Sequence, residues 1–174
     1  MAWIVKESAK ATVERRAERY ISESMRSRFE REILPRYATK QAALLPLMHE
    51  VQHAHGFIAA QAIEEAGAFL GLSPAEVFDT ITFYEEFRLK PVGRHVVQVC
   101  RSISCELCGQ RELSKKLQRK LGVGPGETTD DGRFTYQELE CLGACDFAPV
   151  ALVDEKLQKN LSFEKLESEL EKLT

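Results

Sequence analysis

The chain has 174 residues, 44% hydrophobic and 29% charged, which suits one domain or two small ones with buried cores. Its 24 basic and 27 acidic residues leave a net charge of −3, which argues against a strongly electrostatic nucleic-acid binder. No apolar run approaches the ~20 residues that span a bilayer, so a transmembrane chain is excluded, as is a collagenous one.

Met1 to Val5 is too short for the apolar region of a signal peptide. The Arg-rich stretch that follows is interleaved with Glu7, Glu14, Glu18, Glu23, Glu30 and Glu32, unlike an acid-poor transit peptide. Residues 11–34 are therefore expected to form a charged surface helix ending before Pro35, in a chain that works in the cytoplasm. From Thr39 to His55, Leu44, Leu47, Met48 and Val51 recur at three- and four-residue spacing and predict one buried helical stripe stopped by Gly56. A shorter helix is predicted over 60–70, ending at Gly71. Ser73-Pro74 supplies an N-cap and a first-turn proline for a helix through Thr82. Phe78, Phe83, Tyr84 and Phe87 then crowd into ten residues. They are expected to pack in the core between the two halves, the alternative being a ridge that binds a partner.

The chain changes character at Pro91-Val92-Gly93, which divides it into a helical N-terminal subdomain, 1–90, and a second domain, 91–174. In the second, His95 to Val99 reads as a strand running into Cys100. Leu107 to Leu121 reads as a helix with Leu113, Leu117 and Leu121 on one stripe, broken by Gly122-Val123-Gly124-Pro125-Gly126. Arg133 to Leu139 is a second strand. Pro149 to Val153 is a third, followed by a hairpin through Lys159, and Ser162 caps a final helix to Leu173. The predicted order is β-α-β-β-α behind a helical preface, an α/β class.

Two motifs invite chemistry that their context does not support. His49-Glu50-Val51-Gln52-His53 fits the H-E-x-x-H pattern of zinc peptidases, in which two histidines on one helix face ligate zinc beside a glutamate base. Gly56 sits where the extended pattern wants glycine, but Ala59 occupies the place of the third histidine. A helix whose polar face happens to carry histidines is the plainer reading. The glycines at 122, 124 and 126 follow a helix rather than a strand and lack the dinucleotide spacing, so they read as a turn.

The five cysteines are all in the second half: Cys100, Cys105, Cys108, Cys141 and Cys145. An odd count in a reducing compartment argues against a disulfide framework. Two pairs, Cys100/Cys105 and Cys141/Cys145, can converge on one centre from two loops at strand ends. Soft thiolates favour zinc or iron–sulfur, and a dithiol redox site is a third option. The four- and three-residue spacings, with small Ser102, Ser104, Gly143 and Ala144 beside them, suit the wider [2Fe–2S] core. Cys108 leaves a second ligand set open, because Cys100-x₄-Cys105-x₂-Cys108 matches the plant-type ferredoxin run. That set would leave the compact Cys141-Leu142-Gly143-Ala144-Cys145 unexplained.

Taken together, the Val99-Cys100 strand end, the C-x₄-C pair, Gly122 to Glu127 with Asp131-Gly132, and Cys141 to Cys145 followed by Ala148-Pro149-Val150 resemble the thioredoxin-like [2Fe–2S] ferredoxin family, in particular the E-type subunits of respiratory complex I. His49 to Gln52 and Phe83-Tyr84 resemble the helical part of that family. The resemblance covers residues 35–174, and Cys108 lies outside the family's ligand pattern. It implies a helical bundle before a thioredoxin-like domain, with one [2Fe–2S] cluster on Cys100, Cys105, Cys141 and Cys145 and no catalytic residue of the chain's own. It further implies one-electron exchange with a partner flavoprotein (F-type) subunit that carries FMN and NADH, within an NADH:quinone oxidoreductase at the inner face of the cytoplasmic membrane. Similar modules serve NAD-linked hydrogenases and formate dehydrogenases. The rival of another class is a zinc-stabilised structural module on the same cysteines. Glu106, Glu140 and Asp146 each neighbour a ligand cysteine with only Arg101 opposing them, which predicts a low-potential cluster.

Overall fold

The computed structural model of the chain describes residues 15–173. Its internal contacts separate two units, Met1–Pro91 and Val92–Thr174. The first is helical: α1 (Glu23–Arg28), α2 (Leu44–His55), α3 (Ala60–Leu70) and α4 (Pro74–Phe83). The stripe Leu44, Leu47, Met48 and Val51 on α2 is buried as its spacing predicts, against Ala62, Ala66, Val77 and Ile81 of the neighbouring helices. Gly56 and Gly71 end α2 and α3 at the predicted positions. Ser73 opens α4 with a reciprocal capping box: its hydroxyl accepts from the Glu76 N–H, and the Glu76 carboxylate accepts from the Ser73 N–H at 2.8 Å.

The long surface helix expected over 11–34 is not what forms. Its first residues, 11–14, lie outside the described residues. Residues 15–22 run as an irregular strap with bends at 17–18 and 20–21, α1 covers six residues, a π turn follows at Phe29–Ile33, and Pro35 sits inside a 3₁₀ turn. The reason is tertiary. Tyr20, Ile21, Met25 and Phe29 are buried, a demand that one solvated helix could not meet. Side chains of α2 and α3 take over the strap's backbone groups. Glu65 accepts from the Ile21 N–H at 2.9 Å, Gln61 accepts from the Arg16 N–H at 3.1 Å, and His55 Nε2 donates to the Tyr20 carbonyl at 2.9 Å.

The second unit is a sheet with helices. It comprises β1 (His95–Cys100), α5 (Ile103–Leu107), α6 (Gln110–Leu121), β2 (Glu127–Thr128), β3 (Phe134–Leu139), β4 (Ala151–Val153), β5 (Lys156–Gln158) and α7 (Phe163–Glu171). The strand order is β2-β3-β1-β4-β5, with β1 and β3 parallel and the other pairs antiparallel. Register places Val97 beside Tyr136 and Val153, so these share a face with Val99, Phe134 and Ala151. Leu113 and Leu117 of α6 and Leu166 and Leu170 of α7 pack with that face. Leu117 and Leu166 are fully buried, each stabilising the fold by about 1.5–3 kcal/mol.

Two details differ from the predicted elements. β2 is an added short edge strand. The helix expected from Leu107 is two helices, because Gly109 takes a left-handed backbone, φ +94°, between α5 and α6. Cys108 therefore ends α5 instead of opening the long helix.

Candidate iron–sulfur site

Cys100 is the last residue of β1 and lies in register with Leu139, the last residue of β3. Because these strands are parallel, the loops that follow them leave the same end of the sheet. One carries Cys105, the other Cys141 and Cys145. β4 runs the opposite way, with Ala151 beside Val99, so the residues just before it reach that end too. The Cys100 N–H donates to the Val150 carbonyl at 3.1 Å, and the Arg101 N–H donates to the Leu139 carbonyl at 2.8 Å. Cys100, Cys105 and Val150 are buried as a small cluster with Leu142, Ala144 and Ala148 against them.

Two of the predicted ligands are thus buried, while Cys141 and Cys145 are exposed. The environment of the Cys105 thiol differs from that of a free cysteine. Burial pushes it up to about 11, and the adjacent Cys100 and Cys145 sulfurs add to that rise, against a lowering hydrogen bond from the Val150 backbone. Gly143, between Cys141 and Cys145, sits at φ +67° and donates its N–H to Cys141 Sγ at 3.4 Å. A side chain there would be strained, and the bond is the kind that stabilises a ligand thiolate.

These features fit a [2Fe–2S] group: four soft donors on two loops, small residues between them and a backbone N–H on one sulfur. Cys108 is also exposed, but it lies past Cys105 at the turn into α6.

The local charges correct one expectation. Arg101 pairs with Glu140, as its position beside Cys100 suggests, but Arg111 pairs with Glu106. Two of the three neighbouring carboxylates therefore have a basic partner, and Arg101 is not alone in opposing them. Arg111 was hidden because the i, i+4 rule looks along one helix, whereas this pair crosses the break at Gly109.

The H-E-x-x-H stretch proves structural. His49 packs its ring on Phe87 at 4.8 Å, Glu50 is paired with Arg28, and Gln52 is buried. Among the described residues, no three His, Cys, Asp or Glu side chains gather closely enough to hold a metal ion, and this includes the four cysteines as well as the histidines of α2. The glycine-rich stretch is the expected turn, and the Gly126 N–H enters the sheet by bonding the Tyr136 carbonyl at 2.7 Å. Of the four clustered aromatics expected in the core, only Phe87 is buried, and Phe78, Phe83 and Tyr84 are exposed.

Comparison with known proteins gives the family and the fold. Residues 30–174 match the family model described as thioredoxin-like [2Fe–2S] ferredoxin. An E-type subunit of the NADH-quinone oxidoreductases of Rhizobium meliloti is 39% identical over 136 residues, covering 78% of this chain and 81% of that protein. The second subunit of the NADH-quinone oxidoreductase of Thermus thermophilus is 42% identical over 117 residues, covering 67% of this chain and 65% of that protein. Among solved structures, an NAD+-reducing [NiFe]-hydrogenase in the air-oxidised state superposes with a TM-score of 0.66 at 27% identity, over 75% of this chain and 22% of that chain. The expected α/β class, with N-terminal helices before a thioredoxin-like sheet, is therefore the observed one. A cysteine-bearing sheet end of this construction and a match over most of the length lead to one conclusion: the chain belongs to the thioredoxin-like [2Fe–2S] ferredoxin family.

Proposed function

We propose that the chain is an electron-transfer subunit of an NADH:quinone oxidoreductase, holding one [2Fe–2S] cluster on Cys100, Cys105, Cys141 and Cys145. The observation that carries this is the pairing of β1 with β3 in parallel, which sends both cysteine loops out of one end of the sheet. Residues 91–174 form the cluster domain and residues 1–90 its helical subdomain. When bound, the group supplies a one-electron couple. The chain supplies the rest. Cys100 and Cys105 hold it from the buried side, Cys141 and Cys145 from the exposed side, and the Gly143 N–H offsets negative charge on the Cys141 sulfur.

Electrons pass to and from FMN on a partner flavoprotein (F-type) subunit, which also binds NADH. The kinship with subunits of NADH-quinone oxidoreductases supports this division of labour, as does the absence of a dinucleotide glycine pattern from the sequence. No helix among the described residues is long and apolar enough to cross a membrane. The subunit reaches the inner face of the cytoplasmic membrane through its complex. A second host, an NAD-linked hydrogenase, is favoured by the superposition on the hydrogenase chain, and a formate dehydrogenase would use the same module.

Iron, zinc and acid-labile sulfide analysis of the purified chain tests the cluster. Iron and sulfide in equal amounts without zinc is the expected result, and zinc without sulfide would overturn it. Co-purification with an FMN-containing flavoprotein tests the assembly.

A further inference from the structure

The helix that carries Cys105 is weakly held by its own residues. α5 has five residues, fewer than a helix needs to stand alone, and Ser102 before it makes no side-chain capping bond. Of the five, only Cys105 is buried, while Ile103 and Leu107 are 76% and 83% exposed. Apart from that thiol, α5 puts no side chain into a core. α6 is the opposite case. Leu113 and Leu117 are buried in the core of the second unit, and buried Gln110 donates Nε2 to Ser114 Oγ at 2.7 Å. Between the two helices lies Gly109, in a left-handed conformation that lets the chain change direction.

A side-chain link crosses that break. Arg111, in the first turn of α6, pairs with Glu106, the residue after Cys105. Because α6 is fixed by its buried face, the pair ties the ligand helix to a rigid support. The geometry points to Arg111 as the positioning residue that holds α5, and Cys105 with it, in place, with Glu106 as its handle. This rests on the ligand set proposed above. Both side chains reach solvent and line a polar cleft of about 490 Å³ with Arg101 and Glu140, so the tie is modest and salt can screen it.

The tie acts when Cys105 releases iron. Release requires α5 to open, and a local opening costs only the contacts that the opening segment makes. Losing an exposed ion pair should raise the open fraction about two- to fivefold.

The test uses the full, cluster-loaded chain. Bleaching of the cluster absorption by excess iron chelator gives the rate of loss, and a redox titration followed by EPR gives the potential. Arg111→Gln and Glu106→Gln should each speed loss about two- to fivefold, and the double variant no more than either alone. Arg111→Lys should restore most of the wild-type rate. Salt at about 1 M, where the screening length is about 3 Å, should speed loss from the wild type and leave Arg111→Gln nearly unchanged. The potentials should part: Arg111→Gln lowers the potential by removing a positive charge, and Glu106→Gln raises it by removing a negative one. Potentials that move the same way in both variants mark a damaged site and overturn the assignment. Lys115→Gln, one turn further along α6 and paired with Glu112 at 2.9 Å, should keep the wild-type rate. Loss as fast as from Arg111→Gln would make the effect one of net charge and overturn the tie. A wild-type cluster that all these variants lose at the wild-type rate overturns the tie and spares the ligand set. A wild-type chain that holds no iron and sulfide overturns both.

Discussion

Cys105 gives a quantitative test of the buried half of the site. Its thiol is raised from an ordinary 9.0 to about 11, by burial first and by the neighbouring Cys100 and Cys145 sulfurs second. Unfolding removes both causes. In the cluster-free chain the folded state therefore keeps a proton that the unfolded state releases between about pH 9 and 11, so stability falls with rising pH across that window. The contribution is fully present below about pH 9 and is lost as pH rises through about 11. Two pH units correspond to about 3 kcal/mol. Urea unfolding of the reduced, cluster-free chain, wild type against Cys105→Ala, isolates it from the tyrosines and lysines that titrate nearby. The wild type should lose about 3 kcal/mol relative to the variant from about pH 8.5 to 11. Parallel pH profiles would refute the reasoning, and with it the placing of Cys105 among apolar neighbours and other thiols. The same proton opposes ligation, so cluster loading should gain about tenfold per pH unit from this residue alone.

Cys108→Ser should leave the [2Fe–2S] absorption and reduced-state EPR signal intact, whereas Cys141→Ser and Cys145→Ser should each perturb them strongly; cluster loss in Cys108→Ser alone would restore the plant-type ligand set. The cluster should be of low potential, incompletely reduced by NADH in the isolated chain. Arg101→Gln should lower the potential further by unpairing Glu140, as redox titration followed by EPR would show. Gln52→Leu should destabilise the helical unit by about 2–6 kcal/mol in urea, because the Glu86 carbonyl and the Arg88 N–H would each lose a partner.

Much of this protein is legible in its sequence because the signals are local. The α2 stripe from Leu44 to Val51, the stops at Gly56 and Gly71 and the Ser73–Glu76 capping box each depend on residues within a turn or two of one another. The cysteine spacing is equally local, and it alone narrows the chemistry to soft-metal binding and to a few ligand sets. What it leaves open is whether the two pairs meet. That depends on Cys100 and Leu139 lying side by side, a parallel pairing of strands 39 residues apart in the chain, with Val150 closing in from an antiparallel neighbour.

The misreadings share that origin. Residues 11–34 read as a solvated helix because their charges dominate the pattern, yet Tyr20, Ile21, Met25 and Phe29 are drawn into the helical core, and Glu65, Gln61 and His55 bond backbone groups of residues 16–21. Phe83 and Tyr84 have the composition of core residues, yet they are exposed while Phe87, three residues on, is buried. Hydrophobic period, caps and thiol spacing are short-range and are written in the chain itself. Which strand ends coincide, which carboxylate meets which arginine and which aromatic stays outside are settled by contacts between distant residues, because burial and electrostatic pairing are properties of the packed whole.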